Sequence, residues 1–295
     1  MIGRGWLRRA TWIARAKYWF WGGIVISQLL AACSTGAAGA EMEEASFIVG
    51  DAPRLVVEIA NGRIVVESQG SGGNAIVVSA TINNPERVEY SAIQEDDTVK
   101  VIAEINSRSG ISNIGREGGV DVVVSVPQEI ALQLRTGDGE TQVSGVTGPV
   151  SVTSSNGSMS LSRVQGRMDL ETSNGRISVD DASGEVNART SNGRIELRNF
   201  AGQVDAQTSN GSIAIEGTLP PGSQNKLQTS NGSVDVTLID TAGVLLDAST
   251  SNGKVSSTLP ITIAGQVGDD HLVGTIGNGG STLEIRTSSG SVTIR

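Results

Sequence analysis

Histidine and cysteine each occur once in the 295 residues, at His271 and Cys33, and aromatics make up only 3% of the chain. One histidine excludes a multi-histidine zinc centre, and one cysteine excludes an internal disulfide. All four tryptophans (Trp6, Trp12, Trp19, Trp21) lie in the first 21 residues; from residue 33 onward the aromatics are Phe47, Tyr90 and Phe200. Large aromatics usually dominate a globular core, so a large aromatic-cored α/β enzyme is excluded. Basic residues are also scarce, 22 against 31 acids. Five of them and no acid stand in residues 1–32, so the remainder carries 17 basic against 31 acidic residues, a net charge of −14. A nucleic acid or an anionic lipid surface calls for the opposite sign. No nucleic-acid partner is expected.

What is present begins with an export signal. A basic start (Arg4, Arg8, Arg9, Arg15, Lys17) leads into the apolar run 18–32, YWFWGGIVISQLLAA. That run is too short for a comfortable membrane span of about 20 residues. Leu30-Ala31-Ala32-Cys33 resembles the lipobox of bacterial lipoproteins, in which the cysteine thiol accepts the lipid and the leader is cut ahead of it. Residues 1–32 are thus expected to be a cleaved signal helix and Cys33 the lipidation site. Two or three acyl chains give a stable anchor where one does not. Ser34 replaces the aspartate that retains many such proteins at the inner membrane, so a two-membrane cell would carry this one on the outer membrane. Residues 33–46, small, polar and acidic after the cysteine, read as a tether.

An internal repeat organises the rest. Thr-Ser-Asn-Gly stands at 172–175, 190–193, 208–211, 229–232 and 250–253, preceded by Ser-Ser-Asn-Gly at 154–157 and followed by Thr-Ser-Ser-Gly at 287–290. Asn156, Asn174, Asn192 and Asn210 are 18 apart, and Asn231 and Asn252 follow at 21. Apolar columns keep the same period, for example Leu132, Val150, Met168, Val186, Val204 and Thr141, Met159, Ile177, Ile195, Ile213, Val234. Each repeat therefore holds two short strands of alternating pattern joined by Ser-Asn-Gly. Asn-Gly between strands also suits an antiparallel hairpin meander. A meander does not require equivalent residues to stack, whereas a parallel β-solenoid places each coil about 4.8 Å above its equivalent. The reading is an all-β chain: one parallel β-solenoid with 18–21 residues and two main strands per coil, right-handed. Irregular coils are expected over 47–131 and regular ones over 132–295. Ala60-Asn61-Gly62 looks like an outlying coil, 106–119 like a loop, 260–280 like a second long loop or an irregular coil, and SSGSVTIR would cap or complete the last coil. The corner asparagines and glycines are expected to take left-handed backbone conformations, and stacked Asn amides to form a ladder. The Thr column is expected to face inward with its hydroxyls on the turn amides.

The Asn-Gly corners at 18–21 residues, the Val126-Pro127 step into Leu132–Thr136 and the ending LEIRTSSGSVTI resemble bacterial adhesin-like domains related to auto-transporter adhesin heads. The resemblance covers roughly 47–295. It implies a β-solenoid, and it brings no catalytic residues.

Candidate chemistry is thin. Asp269-Asp270-His271 reads as a solvated loop. Some solenoids cleave polysaccharides with carboxylate pairs. However, neighbours such as Asp180-Asp181 and Asp96-Asp97 point to opposite faces of a strand, and Asp169, Asp205, Glu171 and Glu196 read as solubilising charge. Sugar clefts also favour aromatic platforms, which are lacking. The Gly-Gly-x-Gly-x-Asp repeat of calcium-binding β-rolls is absent, so neither metal nor cofactor is expected. A possible binding ridge follows the corner glycines: Arg176, Arg194 and Lys254, unless Glu171, Glu185 and Glu196 neutralise it across coils. The expected function is a non-enzymatic, lipid-anchored envelope scaffold for binding or adhesion, toward an envelope protein or polysaccharide. A periplasm-facing accessory role in envelope homeostasis is the alternative, and a polysaccharide-active enzyme the less favoured one.

Overall fold

The structure is a computed structural model, described here for residues 40–105, 118–239, 243–264 and 268–295. The leader, Cys33 and most of the 106–119 segment lie outside the described residues. Among those residues stand 24 strands and a single 3-10 turn, Pro85–Arg87.

The alternation read in each repeat becomes two facing sheets. Strand Val150–Ser154 pairs in parallel with Ala131–Asp138 on one side and with Gln165–Thr172 on the other, column on column: Val150 beside Leu132 and Met168, Val152 beside Leu134 and Leu170. These strands form the front sheet. Met159–Ser162 does the same between Thr141–Ser144 and Ile177–Asp180 in the back sheet. Ile195–Thr208 runs round a corner and contributes to both. The inward columns are buried throughout. A thin core of Val, Ile, Leu, Met and Ala results, about 25 cal/mol being gained per Å² of apolar surface removed from water.

Stacking order departs from chain order at both ends. The Arg54–Asn61 strand lies between Thr98–Ile105 and Ala131–Asp138, and Ile64–Ser68 lies between Gly119–Val126 and Thr141–Ser144. The Ala60-Asn61-Gly62 coil is thus internal, not outlying. At the other end Ser281–Ser289 inserts between Gln224–Asn231 and Gly243–Asn252, and Val292–Ile294 between Val234–Leu238 and Val255–Ser257. Residues 281–294 therefore complete a coil instead of capping one, and that coil is an interior rung, not the last. The physical reason is the 260–280 segment, which is a hairpin rather than a loop. His271–Gly277 pairs antiparallel with the outer edge of Gly243–Asn252, and Ile261–Ile263 pairs with it in turn. The chain then turns at Gly277 and Gly279, both at positive φ (60° and 71°), and returns on the inner edge.

At the first end antiparallel strands finish both sheets. Val88–Glu95 covers Thr98–Ile105, and Ala40–Ile48 covers Ala75–Asn83, which covers Gly119–Val126. Of the tether read over 33–46, residues 40–46 belong to a strand and the rest lies outside the described residues. Its alternation sets Ala45 and Phe47 beside the buried Val78 and Ile76, and Glu43 beside Ala80. An acidic side chain on the inward face of an edge strand discourages further strand addition. Phe47 and the half-buried Tyr90 pack against this end of the core. Burial, and then Glu43, push the Tyr90 hydroxyl up to about 12.

Candidate functional site

The corner explains the repeat before any function does. At Gly193 a Cβ would lie 1.8 Å from the carbonyl oxygen of Gly175, and at Gly211 it would lie 1.9 Å from that of Gly193. Glycine is required by close approach of stacked backbones. None of Gly157, Gly175, Gly193, Gly211, Gly232 or Gly253, nor the asparagines before them, has a positive φ. That corrects the left-handed corner read from sequence on these six rungs, whereas Gly62, Gly139 and Gly290 at equivalent corners do have positive φ (129°, 139° and 149°). Other positive-φ positions are Arg163, Asp181 and Asn199 (φ 52°, 53° and 46°) and Gly148, Gly166, Gly184 and Gly202. Buried threonine hydroxyls donate to the glycine carbonyl one rung away, as in Thr208 to Gly193 (3.0 Å) and Thr287 to Gly232 (3.0 Å). Ser154 and Thr172 also accept from the amide of their own corner glycine.

The asparagine side chains form a directional ladder. Asn231 donates to Asn210 (2.9 Å), Asn210 to Asn192 (2.9 Å), Asn192 to Asn174 (2.7 Å), Asn174 to Asn156 (2.7 Å), and Asn156 to the Asp138 carboxylate (2.5 Å). Aligned amides ending on an anion polarise one another favourably. Asn252 stands apart, beyond Ser289, and reaches only the Ser288 carbonyl at 3.5 Å.

Arg176 and Arg194 are exposed neighbours on adjacent rungs, joined through the amide of Ile177 and the carbonyl of Arg194. Glu185 pairs with Arg167 and Glu196 with Arg198, which leaves no ion-pair partner for Arg176, Arg194 or Lys254 among the described residues. Lys254 lies on the outermost rung of the back sheet, separated from the arginine pair by the Ser212, Ser233 and Ser291 rungs.

The outer surface of the front sheet is concave. One trough of about 710 Å³ is lined by Glu171, Arg189, Gln207, Gln228, Arg286 and the exposed serines of the corner column. A second, of about 620 Å³, adjoins it and includes Asp205, Lys226, Asp247 and the apolar shoulder Leu245, Val273 and Ala264. The hairpin ending the sheet supplies that shoulder. Sequence reasoning missed this face because Arg286 comes to stand beside Gln228 only through the permuted rung order.

The carboxylates here are engaged. Asp169 is held below the usual range chiefly by its hydrogen bond to Arg167, despite partial burial. The Arg286 fork does the same for Asp247, with contacts of 2.6 and 2.8 Å. Asp205 meets Arg189 at 3.6 Å and accepts from Gln207 at 3.0 Å. Asp180 faces Arg198 while Asp181 accepts from Asn199, so the two diverge. Asp97 accepts from the Gly50 amide. Asp269 and Asp270 are exposed bend residues, in keeping with the solvated loop read from sequence. The carbonyls of Asp269 and Asp270 accept from Val255 and Thr250, and His271 opens a strand. Among the described residues no three His, Cys, Asp or Glu side chains stand together as a metal site.

A stack of parallel rungs with antiparallel ends, held by Gly, Asn and Thr ladders, defines a β-solenoid scaffold. More specifically, the chain belongs to the Toastrack family (DUF4097), whose model matches residues 54–295. Comparison with curated proteins finds no match. Among solved structures it is similar to a proposed adhesin from Bacteroides fragilis NCTC 9343 (10% identity, 86% of this chain and 97% of the other, TM-score 0.47). It is also similar to a proposed lipid binding protein from Parabacteroides distasonis ATCC 8503 (14% identity, 88% and 98%, TM-score 0.39). No function is transferred at these levels.

Proposed function

We propose that the chain is a lipid-anchored envelope protein whose solenoid is a non-enzymatic scaffold for binding or adhesion. One observation carries the reading: a broad, concave polar face on which Glu185, Asp205, Asp247 and Glu284 are tied to arginines. A carboxylate held as an anion by a guanidinium is a poor general acid, which weighs against glycosidase or lyase chemistry. Anchoring rests on Leu30-Ala31-Ala32-Cys33, and through it the outer-membrane assignment where a second membrane exists. Expression of the full chain with an alkyne-tagged fatty acid tests it. Label should enter the protein, disappear in Cys33→Ala, and accompany a product without tryptophan fluorescence. Unlabelled, fluorescent protein in the membrane fraction would contradict the reading. Shaving intact cells with protease separates an outward scaffold, which is cut, from a periplasm-facing accessory protein, which survives.

The unpaired Arg176–Arg194 pair favours a second contact, an anionic group of the envelope met at the corner ridge with Lys254 beyond it. Two arginines can grip phosphate or carboxylate by paired hydrogen bonds. Arg176→Glu with Arg194→Glu should weaken envelope binding; unchanged binding removes the ridge.

A further inference from the structure

We propose that the front trough binds a neutral, linear glycan lying along the solenoid axis. The proposal rests on the scaffold reading and names its ligand class. Its floor is a column in register across four rungs: Arg189 beside Gln207, Gln207 beside Gln228, Gln228 beside Arg286. At the spacing of paired strands the two arginines stand about 14 Å apart, and the pyranoses of an extended glycan advance by roughly one rung each. Guanidinium and carboxamide groups are flat and present paired hydrogen-bonding atoms, a geometry that matches adjacent sugar hydroxyls. One wall is the exposed serine column, Ser209 and Ser230 among it, and each hydroxyl can donate or accept.

Charge selects a neutral chain. Arg286 is forked onto Asp247 and Arg189 faces Asp205, so the floor offers oriented donors with their charge largely offset. The acidic excess of the chain repels polyanions over longer range. No aromatic lines the trough, so contact is by hydrogen bonds and bridging waters without stacking. Weak binding per site follows, on the order of millimolar. Many anchored copies acting on one polymer would raise it by effective concentration. The site exists only because the C-terminal rung is inserted: with rungs in chain order, Ser249 would stand where Arg286 does.

The test uses the full, lipidated chain in detergent. Neutral cello-, manno- and malto-oligosaccharides from dimer to hexamer are titrated by saturation-transfer NMR, with hexagalacturonate as the acidic counterpart. At least one neutral series should bind, tighten from dimer to tetramer and then level off. Gln228→Ala with Arg286→Ala should weaken that series by about fivefold or more, the worth of one or two hydrogen bonds. Ser209→Tyr, which removes no side-chain hydrogen bond seen in the structure, should block it by bulk. Gln142→Ala, on the outer face of the back sheet, should leave it unchanged. The proposal is overturned by absence of neutral-glycan binding, by indifference to both trough variants, or by tighter binding of hexagalacturonate. If those results arise while the protein still binds isolated envelopes, the glycan site falls and the scaffold reading stands; if envelope binding is absent too, both fall.

Discussion

The middle rungs and the end rungs are built from the same columns yet obey different rules. From Ala131–Asp138 to Gln224–Asn231 each front-sheet rung rests on its predecessor in the chain. At both ends the order is permuted; antiparallel strands finish both sheets at the first end and the front sheet at the other, where the back sheet ends on the parallel rung Val255–Ser257. The middle shows that identical columns suffice to stack rungs. The ends show that identical columns cannot say which rung goes where: Thr229, Thr287 and Thr250 are interchangeable as residues, and their stacking order is decided by the hairpin around them. The permutation also closes the molecule. Residues 281–294, which follow the edge hairpin in the chain, form an interior rung, so Gly243–Asn252 and Val255–Ser257 take their places in the stack only once that rung has docked.

Deleting residues 281–295 is the sharpest way to break this contrast and should have the largest effect. With that rung missing, Gly243–Asn252 and Val255–Ser257 lose their inner partners. Backbone amides over 243–277 should then exchange rapidly in hydrogen-exchange mass spectrometry, while 131–215 stays protected. Protection persisting over 243–257 would mean that this rung docks directly on 224–238 and that insertion is dispensable.

A single added methyl comes next. At Gly193 it would meet the Gly175 carbonyl oxygen at 1.8 Å, in a rung held on both sides. At Gly253 it would meet the Gly290 oxygen at 2.0 Å, on the outermost corner rung, which can yield outward. Gly193→Ala should cost more than about 4 kcal/mol and Gly253→Ala about half that, measured by denaturant unfolding. Equal losses would mean that the ends are as constrained as the middle.

The seam between the regions rests on one residue. Asn225 occupies the inward apolar column, where Val204 and Leu283 flank it on the neighbouring rungs, and is only 2% exposed. Its carbonyl accepts from the Val204 amide (3.0 Å), and its amide donates to the Thr282 carbonyl and the Ser223 hydroxyl (2.9 Å each). It thus satisfies backbone groups where the 18-residue rung gives way to a 21-residue one. Asn225→Leu keeps the apolar column but orphans those groups, and should cost about 2–3 kcal/mol with exchange increased on both sides of the seam. A neutral result would mean that backbone pairing across it heals by itself.

Much of this was legible in residues. The period, the two strands per rung, the inward columns and the corner follow from Leu132 to Val204 and from the Asn-Gly steps, because stacking rewards like beside like. Rung order was not legible, since the spacing of Asn231, Asn252 and Ser289 records chain distance only. The glycine requirement was assigned to backbone twist when its cause is the carbonyl one rung away, a contact that exists only after stacking. The trough was hidden for the same reason as the order: Arg286 stands next to Gln228, in place of Ser249, through an insertion that no periodicity encodes.

The smallest expected effect separates the two ends by pH. At the first end, burial and then Glu41 raise the Glu43 carboxyl above its ordinary 4.5. The folded state therefore holds this proton more tightly than the unfolded chain, and stability falls as pH rises from that ordinary value through the raised one. At the other end Asp247 is held below its ordinary 3.8, mainly by Arg286. The stability it contributes is present above 3.8 and lost as pH falls through the lowered value. Acidification from neutrality toward 4.5 should accordingly slow amide exchange in Ala40–Ile48, and further acidification below 3.8 should speed it in Gly243–Asn252, after correction for intrinsic rates. Glu43→Gln should abolish the first response alone and Asp247→Asn the second alone. If one variant flattened both responses, the ends would be coupled through the stack and the regular rungs would transmit what happens at either cap.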